Sequence, residues 1–571
     1  MKEKLGIGIA IFLALFLAVL LMSWPLSANL GEVLTSARSD GDLGYTLSAH
    51  WWAGEVWSFN ASFPTNTLVY FPDGQDMSGS IWNFLPLFLS AWPHLFTDPI
   101  SAYQVGILWL MMLNGFAAGM LGYRLAGKWG AIAGAGAILS FPYPWLEAYE
   151  GRLEQAFLAP SLLVFCSAIT FKKTGGGKAR WLGFWMGITA LSYWYYAPIT
   201  ALGLLAFLGR DLKKAAIWKK IGTSVLVFAA VISPFLWMLR PALSAGRYTQ
   251  ATQNAQHIFL QRVGNSLNPW EVMSGSIGPT NLGRCLPIVV VLGLCWVFYK
   301  SKEHRIWLSI LGVGLIFAMG PALALGDKAT TVSGGIIPLP FAVFDVLPGM
   351  SRFWWPCRFL ALVGVSAVAG FALLTHHIPD KKRPLIVCLL LAFSLLEGRH
   401  IILNAVQKGD PSIPAHRLDP APKGAFFAPN IPDWMLQKKA SGPLLEFPLH
   451  DLANATFLYG PFHQQPTAHG DGIRAPHIRP RTFEKRVLHN PILTAWTTGR
   501  LPKVDHKAVE AIYAMGFRHI VVHKSELKPS ETRSYIQRFT AMIGAPSHEG
   551  PQLAVFDLSP KQKKPSYTER P

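Results

Sequence analysis

Three short stretches put charged side chains beside apolar runs, and each is a candidate for chemistry. The first reads Ser39-Asp40-Gly41-Asp42-Leu43-Gly44-Tyr45, then His50-Trp51-Trp52, and later Phe71-Pro72-Asp73-Gly74. A carboxylate of Asp40 or Asp42 can act as general base toward an incoming hydroxyl once a pocket raises its pKa. The aromatics around it suit a membrane interface or the face of a sugar. Asp-Gly-Asp is equally ordinary chemistry for a solvated turn. The second stretch, Tyr149-Glu150-Gly151-Arg152-Leu153-Glu154-Gln155, stands at the mouth of a helix carrying Pro160. Polar groups at that depth are costly unless paired or facing a cavity. Arg152 can hold a phosphate bidentately; the alternative is a local ion pair at a helix start. The third runs from Pro348 to Phe359 and holds Arg352 and Arg358 beside Trp354, Trp355 and Pro356. Arginines at the outer end of an apolar run oppose the positive-inside bias. They fit neutralisation of a lipid phosphate, or anchoring to headgroups.

Other polar clusters carry weaker signals. Arg240, Arg247, His257, Arg262, Asn265, Asn268 and Trp270 mix polar and aromatic character in one segment, as a carbohydrate cleft does. The tail contains His450, His463, His469, Asp471, His477 and His489 without regular metal spacing, so no metal site is expected there. Neither a P-loop nor a dinucleotide fingerprint occurs. Gly175-Gly176-Gly177 reads as a flexible turn. The cysteines, Cys166, Cys285, Cys295, Cys357 and Cys388, lie in or beside apolar runs and show no ligand spacing.

The elements that must position these groups are membrane helices. Of 571 residues, 51% are hydrophobic and 15% charged, with a mean hydropathy of +0.30. Soluble domains carry about a quarter charged residues, so the apolar runs belong in lipid. The net charge of +19 resides largely in short Lys and Arg clusters between those runs. No basic stripe interleaves with stacking aromatics, so nucleic acid is not an expected partner. Apolar runs of spanning length fall at about 5–25, 101–123, 129–146, 155–171, 220–240, 285–299, 306–325, 354–376 and 384–403. The first is long for a signal segment and lacks a clean cleavage site, so it reads as a retained helix.

Two stretches are ambiguous. Ser80 to Phe96, broken by Pro86 and Pro93, reads as an interfacial or re-entrant helix, since a crossing there would put Lys172 to Arg180 outside. Trp181 to Gly209 has basic clusters at both ends and reads as a hairpin of two short helices broken near Tyr195, Tyr196 and Pro198. These choices give about 11 crossings, with the basic clusters on one side and the tail on the outer side. The expected organisation is a membrane domain over 1–405, with a first outer loop over 26–100, and a small α/β domain over 410–560. A basic disordered end follows at 561–571. Within the α/β domain, Leu444–Leu449, His519–His523 and Leu553–Leu558 read as strands, and Val504–Met515 and Ser530–Ile543 as helices.

These pieces, in this order, resemble the GT-C superfamily of membrane glycosyltransferases, especially its large bacterial branch. The acidic motif with Asp40 and Asp42 follows the first helix. Phe71-Pro72-Asp73-Gly74 precedes an amphipathic segment. Arg152, in Glu150-Gly151-Arg152-Leu153-Glu154-Gln155, stands where relatives often have the His of Gly-His-Leu. Arg352, Pro356, Arg358 and Phe359 look like Arg-x-Pro-x-Arg-Phe with two extra residues after the first arginine. A trailing domain with a strand such as Leu445-Glu446-Phe447-Pro448 is also common there.

The resemblance implies transfer of a sugar from a polyprenyl-phosphate-linked donor to a glycan, lipid or protein acceptor on the outer face of the cytoplasmic (inner) membrane. It implies Asp42, or Asp40, as the general base. Glu150, Glu154 and His50 would hold the acceptor or tune that acid. Arg352, Arg358 and Arg152 would neutralise the donor phosphate. The scheme calls for no metal and no cofactor. A transporter or flippase for a lipid-linked saccharide would share the aromatics and arginines but need no catalytic acid. A non-catalytic envelope scaffold would use the tail alone to bind a partner.

Overall fold

Backbone groups placed in hydrocarbon must be satisfied within their own segment, so the apolar runs fold as helices. The computed structural model describes residues 2–35, 43–78, 84–174, 178–244, 259, 262–263, 266–267, 287–301, 303–323, 331–332, 335–345, 353, 355–408, 426–427, 431–437, 441–448, 459–470, 480–524 and 527–559. Asp40, Asp42 and Arg352 lie outside the described residues.

In chain order the helices of the first part are α1 (Lys2–Ser23), α2 (Leu43–Trp57), α3 (Phe84–Ala91), α4 (Pro99–Leu139), α5 (Pro142–Tyr149), α6 (Leu153–Ala156), α7 (Ala159–Lys173), α8 (Ala179–Ser192), α9 (Tyr196–Leu208), α10 (Ala215–Ser244), α11 (Ile288–Lys300), α12 (Ile306–Ala318), α13 (Leu360–Leu374) and α14 (Arg383–Lys408). Among the described residues, five stretches are long and apolar enough to cross a membrane: Pro99–Leu139, Leu153–Lys173, Ala215–Arg240, Pro356–His377 and Arg383–Asn404. Shorter apolar helices occur at Phe12–Ser23, Tyr196–Leu208, Val290–Lys300 and Ile306–Ala318. Burial separates centre from rim: the apolar window of Pro356–His377 is 94% buried, that of Ala215–Arg240 only 6%. Helix α13 is thus the hub, packed against α4, α9, α11 and α12, while α10 turns its apolar face outward.

Local sequence sets the breaks. Asp98 caps α4 by accepting from the Ile100 and Ser101 amides, and Pro99 fits the first turn, where no amide is needed. The chain reverses at Ala126 and Gly127 (φ 65°) into two antiparallel arms. A β-carbon on Gly122 would lie 2.0 Å from the Gly130 carbonyl oxygen, so small residues let the arms touch backbone to backbone. The stretch 181–209 is two helices, α8 and α9, separated by Tyr193–Tyr195. Pro198 then falls in the first turn of α9, where a missing amide is tolerated.

Among the described residues there are ten strands, in chain order β1 (Leu34–Thr35), β2 (Thr65–Asn66), β3 (Gln75–Asp76), β4 (Thr331–Val332), β5 (Gly335–Ile336), β6 (Phe426–Phe427), β7 (Leu444–Phe447), β8 (His519–His523), β9 (His548–Glu549) and β10 (Leu553–Asp557). The last four form one mixed sheet of order β7-β8-β10-β9, with β7 parallel to β8 and the rest antiparallel. Helices α15 (Asp433–Leu436), α16 (Arg481–His489), α17 (Pro491–Thr498), α18 (His506–Ala514) and α19 (Pro529–Ile543) accompany it. Phe447, Ile520, Val522 and Phe556 bury one sheet face against Ile512, Tyr535 and Phe539.

The loop after α1 is bound to this α/β unit in two places. Strand β1 pairs antiparallel with β6. Further on, Tyr70 donates its amide to the His469 carbonyl at 2.8 Å, Phe71 to Thr467 at 3.0 Å, and Thr467 to Leu68 at 3.0 Å. Phe71 meets Phe517 edge to face, and Arg486 pairs with Asp73 at 2.9 Å. The Phe-Pro-Asp-Gly stretch is therefore a docking strip for the α/β unit.

Candidate functional site

The segment after α4 carries the densest buried charge among the described residues. Pro142 starts α5 and ends the preceding helix, and every residue of Pro142–Tyr149 is buried. The turn that follows needs Gly151, at φ 81°, where a side chain would be strained. It returns Arg152 onto the helix just left: the Arg152 amide donates to the Glu147 carbonyl at 2.8 Å, and its Nε to Glu147 Oε2 at 2.6 Å. Arg152 Nη2 binds the Glu150 carboxylate.

The other oxygen of Glu147 accepts from Arg358 Nη1, contributed by the 3-10 turn Pro356–Phe359 that opens into α13. The same Nη1 lies 3.4 Å from the Tyr143 hydroxyl, which meets Tyr196 at 3.0 Å; Tyr196 in turn donates to the Gln155 carbonyl at 2.5 Å. Both guanidinium carbons sit over Trp355, Arg358 at 5.0 Å from the ring centroid and Arg152 at 5.8 Å. The Glu147 carboxyl is held below the usual carboxylate range. Burial pushes it up, and the charges of Arg152 and Arg358 push it down further.

Arg358 is 1% exposed, yet its Nε and Nη2 have no hydrogen-bond partner among the described residues. Those two groups form one edge of the guanidinium, the edge suited to two parallel bonds to an oxyanion. A buried cation with that edge free is costly unless something anionic meets it.

Helix α7 begins beside this cluster. Asn114, in the middle of the first arm of α4, donates to the Ala156 carbonyl at 2.8 Å and accepts from the Leu158 and Ala159 amides at 2.9 and 2.8 Å. Its side chain thereby satisfies the backbone opened between α6 and α7.

Of the residues expected from sequence, Arg152, Arg358 and Glu150 come together, joined by Glu147, which sequence reading passed over. A signal was present: Glu147 stands three residues before Glu150 and five before Arg152, a spacing at which one turn and a reversal bring side chains into reach. Glu154 sits on α6, where Gln155 Nε2 lies 3.4 Å from its carboxylate. His50 is elsewhere, fully buried on α2, with Nδ1 3.1 Å from His94 Nε2 and its ring edge-on to Tyr103. Burial, then the neighbouring His94, holds its pKa well below the usual value. Arg262, from the polar segment that also holds Arg240 and Trp270, donates to the Phe353 carbonyl at 3.0 Å and lies over Phe341.

In the α/β unit, buried Glu446 on β7 accepts from His523 and Thr467, each at 3.0 Å, with His469 3.3 Å from its carbonyl. Among the described residues no set of His, Cys, Asp and Glu has the geometry to hold a metal ion.

Comparisons place this architecture among known ones. Neither a protein-family model nor a curated protein sequence matches the chain. Solved structures do. Arabinofuranosyltransferase AftD from Mycobacteria aligns with a TM-score of 0.52 at 12% identity, over 99% of this chain and 40% of its own. ArnT from Cupriavidus metallidurans aligns in the apo state with a TM-score of 0.52 at 11% identity, over 98% of this chain and 99% of ArnT. The ArnT structure bound to undecaprenyl phosphate gives 0.51 at 12% identity, over 98% of both chains. The chain thus spans less than half the length of AftD and nearly all of ArnT.

Proposed function

We propose that this chain, which has the fold of the GT-C superfamily of membrane glycosyltransferases, moves a sugar from a polyprenyl-phosphate-linked donor to an acceptor on the outer face of the inner membrane. The observation that carries the reading is the open Nε–Nη2 edge of buried Arg358. A phosphate monoester or diester is an anion whose geometry matches such an edge, and ArnT has been solved with undecaprenyl phosphate bound.

In this scheme the helices make eleven crossings: α1, both arms of α4, and α7 through α14. Helix α3 is interfacial. The Lys and Arg clusters face the cytoplasm, and the α/β unit faces out with the strands and Phe-Pro-Asp-Gly stretch of the first outer loop that bind it. Asp42, immediately before α2, takes the proton of the acceptor hydroxyl; Asp40 is the neighbouring alternative. The acceptor oxygen attacks the anomeric carbon while the bond from that carbon to the phosphate oxygen breaks. Charge grows on the departing polyprenyl phosphate, where Arg358 and the outer-side Arg352 stabilise it more in the transition state than in the ground state. Arg152 supports them. Glu150 serves Arg152 rather than the acceptor, because the two are already ion-paired. Glu154 is left to hold the acceptor, and His50, buried against His94 and Tyr103, to act on it only through its neighbours.

The test is sugar transfer by purified protein in proteoliposomes, using a panel of polyprenyl-phosphate pentoses and hexoses. Asp42→Asn is expected to cost on the order of a hundredfold or more. Arg358→Lys keeps the charge but loses the two-pronged edge and is expected to cost about tenfold or more. Unchanged transfer by a folded Asp40→Asn/Asp42→Asn variant would remove the assignment.

A further inference from the structure

At the C-terminal end of α7, the far end from the Glu147 cluster, the first arm of α4, α7 and α8 leave a cleft of about 250 Å³ between them. Arg124, Thr170 and Lys178 line the end of the cleft nearest the C-terminus of α7, and Phe116 and Leu163 line it about two helical turns away. Phe116 is 56% exposed and Trp181 47%, so the cleft opens outward from the bundle rather than into its core.

Charge distinguishes this cleft from ordinary lipid-facing surface. Nearby Lys172 and Lys214 are answered by Asp211, at 3.1 and 2.8 Å. No carboxylate answers Arg124 or Lys178 among the described residues; Arg124 reaches only the Cys166 thiol, a weak acceptor. Lys178 also holds a left-handed backbone (φ 61°), a conformation disfavoured for a residue with a side chain.

Geometry selects among anions. Arg124 and Phe116 are eight residues apart on one helix, which is about 12 Å of rise. One leaflet of hydrocarbon is about 15 Å deep. A free inorganic anion has no use for a wall of Phe116, Leu163, Trp181 and Trp185 beneath the cations, whereas an acyl chain does.

We infer that this cleft binds one phospholipid with an anionic headgroup. Its phosphate lies between Arg124 and Lys178, and one acyl chain runs past Trp181 and Trp185 to Phe116. The site is independent of the transfer chemistry and lies at the other face of the bundle. Cations beside an anionic lipid surface each contribute enough for a several-fold change in affinity.

Native mass spectrometry of the full-length protein, titrated with phosphatidylglycerol and separately with phosphatidylcholine, tests this. The wild type is expected to retain one phosphatidylglycerol in clear preference. Arg124→Gln/Lys178→Gln is expected to weaken that binding on the order of tenfold and leave phosphatidylcholine unchanged. The charge-matched control Lys213→Gln/Lys300→Gln is expected to bind as wild type. Ser167→Trp, which fills the cleft and keeps both cations, is expected to lose the lipid too. Equal loss in the control, retention in Ser167→Trp, no preference between the two lipids, or displacement by millimolar inorganic phosphate would each overturn the site.

Discussion

Replacing Glu147 with glutamine keeps the shape of the side chain and removes the negative charge that Arg152 and Arg358 share. Arg152 retains Glu150. Arg358 retains only the Tyr143 hydroxyl at 3.4 Å and the Trp355 face at 5.0 Å. A cation–π contact is worth roughly 1–2 kcal/mol when desolvated, whereas breaking a buried ion pair by removing one partner costs about 3–5 kcal/mol. With Arg358 at 1% and Glu147 at 4% side-chain exposure, solvent relieves little of that. Glu147→Gln is therefore expected to lose about 3 kcal/mol, measured as a shift in denaturant midpoint in a fixed detergent. Arg358→Gln should lose a similar amount, and the double variant much less than the sum, by about 2 kcal/mol. The two Arg contacts depress the Glu147 pKa, so its contribution is fully present above about pH 4.3 and is lost only as pH falls through the lower folded value. A Glu147→Gln protein within about 0.5 kcal/mol of wild type, or additive single variants, would refute the shared-carboxylate argument.

Four further outcomes are expected. Burial takes His463 and His469 down to about 4; burial pushes Glu446 up, but the hydrogen bond and charge of His523, with His469 and His463, hold it at about 2. The two histidines must charge on unfolding below about pH 6.5, so the α/β unit should weaken as pH falls from 6.5 toward 4, with Glu446 adding its loss below about 4.3. Amide exchange in β8, followed at pH 7 and pH 5, reports this. Gly122→Ala should force the arms of α4 apart, because the new carbon meets the Gly130 carbonyl at 2.0 Å; reduced yield of monodisperse protein is the readout. Arg486→Ala removes a pair whose arginine is 42% exposed and should cost at most about 1 kcal/mol. Phe71→Ala empties its contact with Phe517 and should cost about 3 kcal/mol, seen as faster proteolysis between the membrane bundle and the α/β unit.

Local features of the fold were legible in the sequence. Trp181 to Gly209 had to break because Pro198 belongs only in a first turn, and the break at Tyr193–Tyr195 obeys that rule. Short buried strands at Leu444, His519 and Leu553 followed from apolar runs bounded by turn residues. What depended on distant partners was not legible. Glu147 sits in an aromatic, proline-rich run where a lone carboxylate looks incidental; its partner Arg358 is 211 residues away. His50 looked like a companion of the acidic turn, but its partner His94 arrives from the segment after α3. Asp73 stood out only as part of a stretch preceding an amphipathic segment, and its arginine is 413 residues on. Pairings of that separation leave no periodicity to read.

Strand β1 has a consequence for how the chain is made. Its hydrogen-bonding edge is completed by Phe426 and Phe427, roughly 390 residues downstream. At about 5–20 residues per second, the ribosome takes roughly 20–80 s to supply that edge. Through that interval β1 has no partner strand. A chain arrested before residue 426 would carry its membrane helices and lack the backbone that pairs with Leu34 and Thr35. Closure of the loop after α1 is therefore a late event in the making of the chain, waiting on residues beyond the last helix long enough to cross a membrane.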